Sequence, residues 1–473
     1  MVVGDIAVGT QVAIIGAGPG GYVAAIRAAQ LGKDVTLIER EVNGLGGVCL
    51  NHGCIPSKAL IYAANVYGLR EKFSNMGLKF GEVKVDFAGM QAWKSKNVEQ
   101  LRNGIAMLMK KHGVNIVEGE ASFDSSRRVK VVSPEGAKYI EFEQAIIATG
   151  SRSASLEGFE PDGGIVISSR EALELETIPQ RMIVVGGGYI AVELGMMYAK
   201  LGTRITIVEK FGVLSHLDED VVAPVRENMK KLGITIYENT TPVRIIKSSS
   251  RATVFCNNKE KGDFALEADK VLVAVGRKPN TDRLNLEKTQ VKRDERGFII
   301  VDPKRKTHDP HIYAIGDVTG NPMLAHKGFL EGKVAAEAIA GKPSAYEPQA
   351  VPSVIFSDPE IAMVGMSEKQ AAQQGLKVKV GKFPLTASGR AVSMDKSQGF
   401  VKIISEENRI VGVQIVAAHA SDLISEASLG IEMGFTLDDL ALTIHPHPTF
   451  PEAMMEAAEA ALGKAIHIWQ PKP

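Results

Sequence analysis

Cysteine is scarce in this chain. Three in 473 residues are too few for a disulfide scaffold, and the scarcity points to a reducing compartment. Net charge is missing as well: Lys plus Arg and Asp plus Glu number 55 each, so the chain lacks the basic field that nucleic-acid binders carry. No apolar run reaches 18 residues, which argues against a membrane-spanning helix. The opening stretch from Met1 to Asp5 has neither a basic n-region nor an Arg-rich amphipathic pattern, so no export or import signal is expected. A cytoplasmic, bacterial-like location follows as the expectation, with a trimmed organellar form as the alternative. Low-complexity tracts and long linkers are absent. At 45% hydrophobic and 23% charged residues, neither a disordered chain nor a collagen-like fibre fits, and the length suits about three domains.

Glycine is what the chain has in excess, with 47 residues, and this suggests tight turns and backbone brought close to ligands. Much of it falls in a repeat. Residues 12–40 read VAIIGAGPGGYVAAIRAAQLGKDVTLIER, and residues 182–210 read MIVVGGGYIAVELGMMYAKLGTRITIVEK. Each opens with a β-branched run typical of a buried parallel strand, passes through a glycine turn into an Ala-rich helical stretch, and closes with a second strand ending in an acid. Gly16 and Gly186 precede Glu39 and Glu209 by 23 residues each, and the two units are offset by 170 positions.

A lone G-x-G-x-x-G means little, but two in register with strand, helix and terminal acid point to dinucleotide binding. Gly16 and Gly186 would make the tight turn, and Gly18 and Gly188 would let the backbone reach a pyrophosphate at the helix N-terminus. Glu39 and Glu209 would accept hydrogen bonds from ribose hydroxyls. The third position is Gly21 in the first unit and Ala191 in the second. A methyl group there is a feature of NADP-type sites. Glu209, however, would repel a 2′-phosphate, and neither Lys210 nor Phe211 builds an arginine clamp, so NAD is expected.

The fold class expected is α/β, with two Rossmann-like dinucleotide-binding domains and a C-terminal α+β domain that lacks a glycine fingerprint. The boundaries expected are 1–150, 151–277, 278–349 and 350–473. Helices are expected from Leu60 to Phe73 and from Trp93 to His112. Strands are expected between Gly119 and Thr149 and before Gly276 and Gly316.

Residues 46–58 read GGVCLNHGCIPSK. Pro56 suits a helix's first turn, so Cys54 falls at or before a helix start, where the dipole and Lys58 both favour a thiolate. Taken alone, the pair could be two unrelated buried cysteines, a metal site with His52, or a structural disulfide. Its position just ten residues after Glu39 favours a redox pair beside the ligand of the first unit. Cys256 is remote from both and reads as an inert thiol. Near the C-terminus, His445-Pro446-His447-Pro448-Thr449-Phe450-Pro451-Glu452 admits two readings. Thr449 and Glu452 have the spacing of a capping box, while Glu452 could instead hold the imidazole of His447 in one tautomer.

GGVCLNHGCIPSK, preceded by GAGPGG (16–21), resembles the redox-active segment of the flavoprotein disulfide reductases, the class I pyridine nucleotide-disulfide oxidoreductases. The resemblance runs end to end through ATGS (148–151), GGGYIAVE (186–193), AVGRKPNT (274–281), YAIGD (313–317), LAHK (324–327) and HPHPTFPE (445–452). It implies FAD on the first unit, with Gly16, Gly18, Gly21, Glu39, Gly47, Lys58 and Asp317 as binding residues and Ala121, Ser151 and Ala325 as peripheral contacts. NAD is implied on the second unit, at Gly186, Gly188, Glu193, Glu209, Val243 and Gly276. Cys49 and Cys54 would form the redox-active disulfide, Lys58 would pair with Glu193, and His447 with Glu452 would act as general base and its partner. The resemblance further implies a homodimer in which the base comes from the partner subunit. The segment 278–349 would complete the FAD site, and 350–473 would be the dimerisation domain.

The activity it implies is oxidation of protein-bound dihydrolipoamide, with electrons passing through the disulfide and FAD to NAD+. The partners expected are the lipoyl domain and the subunit-binding domain of the acyltransferase component of 2-oxo acid dehydrogenase complexes, with no metal, nucleic acid or membrane. A glutathione reductase-like enzyme is the alternative, but it would want cations where Glu209 stands. Mercuric and large thioredoxin reductases need a further cysteine pair that Pro471-Lys472-Pro473 does not supply. A non-catalytic flavoprotein assembly subunit would have no use for the cysteines, Lys58, His447 and Glu452. The chain departs from the family pattern at Pro446 and Pro451, which stiffen the base loop, and at His52, which is expected to perturb Cys49 or Cys54.

Overall fold

The computed structural model describes residues 7–471, so the readings of Met1 to Asp5 and of Lys472-Pro473 lie outside it. The first glycine unit forms β1 (Ala7–Ile15), α1 (Pro19–Gln30) and β2 (Val35–Glu39), followed by α2 (Gly47–His52), α3 (Cys54–Gly68), α4 (Phe87–Lys111) and β3 (Asn115–Glu118). A meander of β4 (Glu120–Ser125), β5 (Arg128–Ser133) and β6 (Gly136–Ile147) completes the sheet in the order β3-β2-β1-β6-β5-β4. Within that order β3, β2, β1 and β6 are parallel, while β5 runs antiparallel to β6 and β4 antiparallel to β5. Val12, Ile14, Ile146 and their neighbours are fully buried, and each such side chain contributes about 1.5–3 kcal/mol.

The second unit begins with β7 (Ser151–Ser153), β8 (Val166–Ile167) and α5 (Ser169–Ala172). It repeats the plan in β9 (Arg181–Val185), α6 (Tyr189–Lys200) and β10 (Arg204–Val208), followed by α7 (Glu219–Lys231) and β11 (Thr235–Tyr237). The antiparallel hairpin sheet of β12 (Thr240–Lys247), β13 (Ala252–Asn258) and β14 (Gly262–Ala268) precedes β15 (Lys270–Val273), and the parallel order is β11-β10-β9-β15-β8. The chain leaves along β16 (Arg277–Pro279), antiparallel to β7, so one two-stranded ribbon carries it both into and out of this unit. It then returns to the first sheet, where β17 (Ile312–Ala314) lies parallel to β6. The returning segment shares its core with that sheet: Leu284, Leu286, Ile299 and Val318 pack among Ala13, Phe123 and Ile147. Next, α8 (Ala325–Ile339) crosses α1 so closely that a Cβ on Gly332 would lie 2.5 Å from the Gly20 oxygen.

The last unit is an antiparallel sheet in the order β18-β19-β22-β21-β20, built from β18 (Ser353–Ile355), β19 (Glu360–Gly365), β20 (Val378–Pro384), β21 (Phe400–Glu406) and β22 (Arg409–Ala417). The short helices α9 (Glu368–Gln373) and α10 (Gly389–Ser393) flank it, and α11 (Ala420–Met433), α12 (Leu437–Leu442) and α13 (Glu452–Ala461) enclose an apolar core with it.

Two helix boundaries differ from expectation. α3 stops at Gly68 and passes into 3-10 turns. α4 begins six residues before Trp93, because Asp86 caps it by accepting the Gly89 N–H at 2.9 Å. Its first turn carries Gly89, which dilutes the apolar periodicity, so the cap rather than the pattern marks the start.

Candidate active site

Both glycine turns require glycine at their first position. Gly16 has φ +103° and Gly186 φ +110°, and a Cβ on either would lie within 2.5 Å of a carbonyl oxygen, that of Ala148 or Ala274. At the third position the units diverge. A Cβ on Gly21 would lie 1.9 Å from the Gly16 oxygen, whereas Ala191 fits fully buried in the second unit. The N-caps of α1 and α6 are Gly18 and Gly188, and neither helix has a side-chain cap, which leaves first-turn N–H groups for an anion.

A cleft of about 840 Å³ opens at the end of the first sheet. It gathers Gly16, Gly18, Glu39, Gly47, Cys49, Cys54, Lys58, Ala121, Ser151, Glu193, Asp317 and Ala325. Gly21 stands behind it, packing α1 against the turn. Glu39 accepts the N–H of Ala17 at 2.8 Å and that of Glu41 at 2.9 Å, and burial pushes its carboxyl above the usual range. A Cβ on Gly47 would sit 2.5 Å from the Gly18 Cα, so this corner too is kept free of side chains. The bare glycine cradle, the open helix N-terminus and the carboxylate 23 residues on fit the pyrophosphate and ribose of FAD.

Asp317 accepts from the Ser151 hydroxyl, which also accepts from Arg277 Nε at 2.7 Å. Arg277 Nε lies 3.8 Å from Asp317 Oδ2. The sequence reading passed over this arginine, although it directly follows Gly276. It also passed over Tyr189, the first residue of α6, which lines the cleft and whose hydroxyl burial pushes up to about 12.

The two cysteines occupy successive helices. Cys49 lies inside the six-residue α2, an element the sequence reading did not foresee, and Cys54 is the first residue of α3. The two thiols influence one another directly, and the neighbouring Cys49 thiol, with help from Lys58, draws Cys54 down to about 7. The Cys54 thiol, with burial, pushes Cys49 up. Cys54, the first residue of α3, is thus the thiol whose ionised form its surroundings favour. Lys58 Nζ reaches Glu193 Oε2 at 2.8 Å, bridging the two units as expected, and Glu193 is only 4% exposed. His52 does not touch the thiols: its ring is held between Glu174 at 2.9 Å and Glu41 at 3.4 Å. Two carboxylates therefore take up the ring expected to perturb the cysteines. Cys256 is buried on β13, far along the chain from both, and burial pushes its thiol up to about 11.

On the second unit, Glu209 directly follows β10 and accepts the Phe211 N–H at 2.8 Å, while a Cβ on Gly187 would lie 2.8 Å from its Cγ. Gly276 follows β15. Val243 lies outward on β12, in the hairpin sheet rather than the parallel one. Gly186, Gly188, Glu209, Val243 and Gly276 do not border the cleft that holds the cysteines.

His447 is not brought to the cysteines of its own chain. Its Nδ1 lies 2.7 Å from Glu452 Oε1, and the ring is exposed. Glu452 Oε2 also accepts the Thr449 N–H at 2.6 Å, so the helix-start reading and the imidazole-holding reading both describe this carboxylate. Burial works to raise Glu452, but Thr449 and His447 hold it below the usual range. His445 is buried between Glu426 and the Thr443 carbonyl. Just before this loop Leu442 and Ile444 are exposed, as are Leu429 and Met433 on α11.

The family model for pyridine nucleotide-disulphide oxidoreductases matches residues 10–332, and that family's dimerisation domain matches residues 351–458. The chain belongs to this family. It is an oxidoreductase that takes FAD and NAD, and it carries the family's homodimerisation domain. It is 48% identical over 473 residues to the dihydrolipoyl dehydrogenase of Geobacillus stearothermophilus, covering 99% of each chain, and 46% identical over 472 residues to that of Bacillus subtilis, covering 99% of this chain and 100% of the relative. Among solved structures, LpdA from Mycobacterium tuberculosis superposes with a TM-score of 0.88 at 26% identity, covering 95% of this chain and 99% of that one. Among the described residues, no helix is long and apolar enough to cross a membrane.

Proposed function

We propose that this chain oxidises protein-bound dihydrolipoamide to lipoamide with NAD+ as acceptor, as the flavoprotein component of 2-oxo acid dehydrogenase complexes. The observation that carries the reading is a cysteine pair that shares a cleft with a glycine cradle and is joined, through the Lys58–Glu193 bridge, to the helix that starts at the second cradle. Relatives with that activity match over nearly the whole chain.

Each residue has a task in this reading. His447, its Nδ1 tied to Glu452, takes a proton at Nε2 from one substrate thiol, since a thiolate is the attacking species in disulfide exchange. The substrate thiolate attacks Sγ of Cys49 in the oxidised pair, forming a mixed disulfide, and Cys54 leaves as a thiolate. A pKa drawn down to about 7 makes it a good leaving group at neutral pH. The second substrate thiol then displaces Cys49, which takes up the proton, and the cyclic disulfide product departs. Gly16, Gly18, Gly21, Gly47, Glu39, Asp317 and Ser151 would hold FAD, with Ala121 and Ala325 at its edge. FAD, when bound, supplies the two-electron relay from the reduced pair to NAD+. Gly186, Gly188, Val243, Gly276 and Glu209 would hold the NAD, with Glu209 turning away a 2′-phosphate.

His447 is exposed and does not line the cleft that holds its own cysteines, so the base would serve the partner subunit's pair. The division into 1–150, 151–277, 278–349 and 350–473 belongs to the same reading. So do docking on the lipoyl and subunit-binding domains of an acyltransferase, and a cytoplasmic location, where low-potential thiols stay reduced. The test is turnover of dihydrolipoamide with NAD+ by purified holoenzyme. Rapid reduction of NAD+, with little of NADP+ and no reduction of glutathione disulfide, is expected. Preference for glutathione disulfide would overturn the reading in favour of the glutathione reductase-like alternative.

A further inference from the structure

Two helices from different units run side by side through the site, and a strand end from the C-terminal unit meets them both. Lys58 and Asn65 are seven residues apart on α3, as are Glu193 and Lys200 on α6, so each pair lies two turns apart on one helix face. Lys58 Nζ joins Glu193 Oε2 at 2.8 Å, and Lys200 Nζ joins Asn65 Oδ1 at 2.6 Å, giving two parallel rungs. Both rungs also reach the segment after β18. The Phe356 N–H donates to Glu193 Oε1 at 2.9 Å, and its ring centre lies 4.5 Å from Lys58 Nζ. Asp358 accepts from Lys200 Nζ at 2.6 Å, and its carbonyl accepts from Asn228 of α7.

We propose that Phe356 is a positioning residue for the redox pair: its peptide N–H seats Glu193, its ring seats Lys58, and together they set how much of the lysine charge Cys54 feels. The inference rests on the reading of Cys49 and Cys54 as the redox pair. Phe356 is not among the residues lining the cleft, so it acts through its neighbours. The chemistry is that of a shared carboxylate. Glu193 is 4% exposed, and an unpaired charge there would be costly. With one oxygen on Lys58 and the other on a peptide N–H, it cannot turn both oxygens to the ammonium and draw it away from Cys54. The ring face opposes the same drift from another side. Lys58 lowers the Cys54 pKa while Glu193 raises it, with Cys49 the remaining titratable neighbour and Tyr189 beyond. The thiol is thus sensitive to small changes in where the pair sits. The lower rung anchors the same segment two residues on, through Asp358.

The experiment is a pH titration of the long-wavelength absorbance of dithiol-reduced holoenzyme, whose midpoint reports the Cys54 thiolate. Phe356→Leu is expected to raise the midpoint by about half a unit or more, and Phe356→Tyr, which keeps the ring face, to leave it in place. Phe356→Met is a second ring-free variant of similar volume should the first fold poorly. An unchanged midpoint in the ring-free variants, or an equal shift in Phe356→Tyr, would overturn the proposal. Failure of the underlying reading looks different: Cys54→Ser would then keep its dithiol turnover.

Discussion

At the scale of single residues, the account separates two kinds of acid–base work. In the proposed reaction His447 would handle the substrate's protons, and Lys58 the charge left on Cys54. Replacing His447 with Gln should lower dihydrolipoamide oxidation by roughly 10²–10⁴-fold. Transfer from NADH to an artificial dye should stay near wild type, and comparing the two assays checks this. Glu452→Gln should fall between, because an amide can keep the Thr449 contact and still meet the His447 ring, but holds it less firmly than a carboxylate does. The Cys54 shift has a definite sign. Its folded pKa lies near 7, below the ordinary 9.0. The stabilisation it brings to the reduced protein is therefore present above the ordinary value and lost as pH falls through about 7. Lys58→Met should move the thiolate midpoint of the reduced enzyme upward, as read from thiolate absorbance against pH.

At the scale of elements, the two glycine units share a plan and differ in tolerance. In the first, a methyl at the third position would collide with the Gly16 carbonyl; in the second, Ala191 is accommodated. Gly21→Ala should therefore cost about 1–3 kcal/mol and loosen FAD, measured by melting temperature and by retained flavin. Ala191→Gly should cost only about 0.5–1 kcal/mol. Glu209→Ala should raise the NADP+ to NAD+ ratio of kcat/KM by about tenfold or more, since it removes a carboxylate from where a 2′-phosphate would sit.

These units were legible because strand, turn, helix and acid lie within 29 consecutive residues each, and a repeat at one spacing makes chance an unlikely source. The Cys49–Cys54 segment and the Lys58–Glu193 bridge were legible too, the bridge through a family resemblance. Less could be read where partners come from distant sequence. Arg277 meets Ser151 across 126 residues and Phe356 meets Glu193 across 163, and no local pattern marks such meetings. His52 was misjudged for a similar reason: Glu174, which holds it, is 122 residues away.

At the scale of the whole molecule, the proposed site would draw on two chains, because the His447–Glu452 pair is exposed and does not line the cleft of its own cysteines. Ile444 is 95% exposed and Leu442 81%, a surface that a second copy would cover. Mixed dimers check the arrangement. Cys54→Ser and His447→Gln chains, each nearly inactive alone, should regain about a quarter of wild-type activity after random reassortment, because half the dimers then carry one intact site of two. No recovery would mean that each site draws on its own chain alone.

The central claim, that electrons from a dithiol enter through Cys49 and leave Cys54 as a thiolate against the flavin, is tested most directly by adding dihydrolipoamide without oxygen to FAD-loaded enzyme and recording its spectrum. Wild type should develop long-wavelength absorbance at once, and Cys54→Ser should develop none. The same absorbance in Cys54→Ser, or its absence from wild type, would contradict the account.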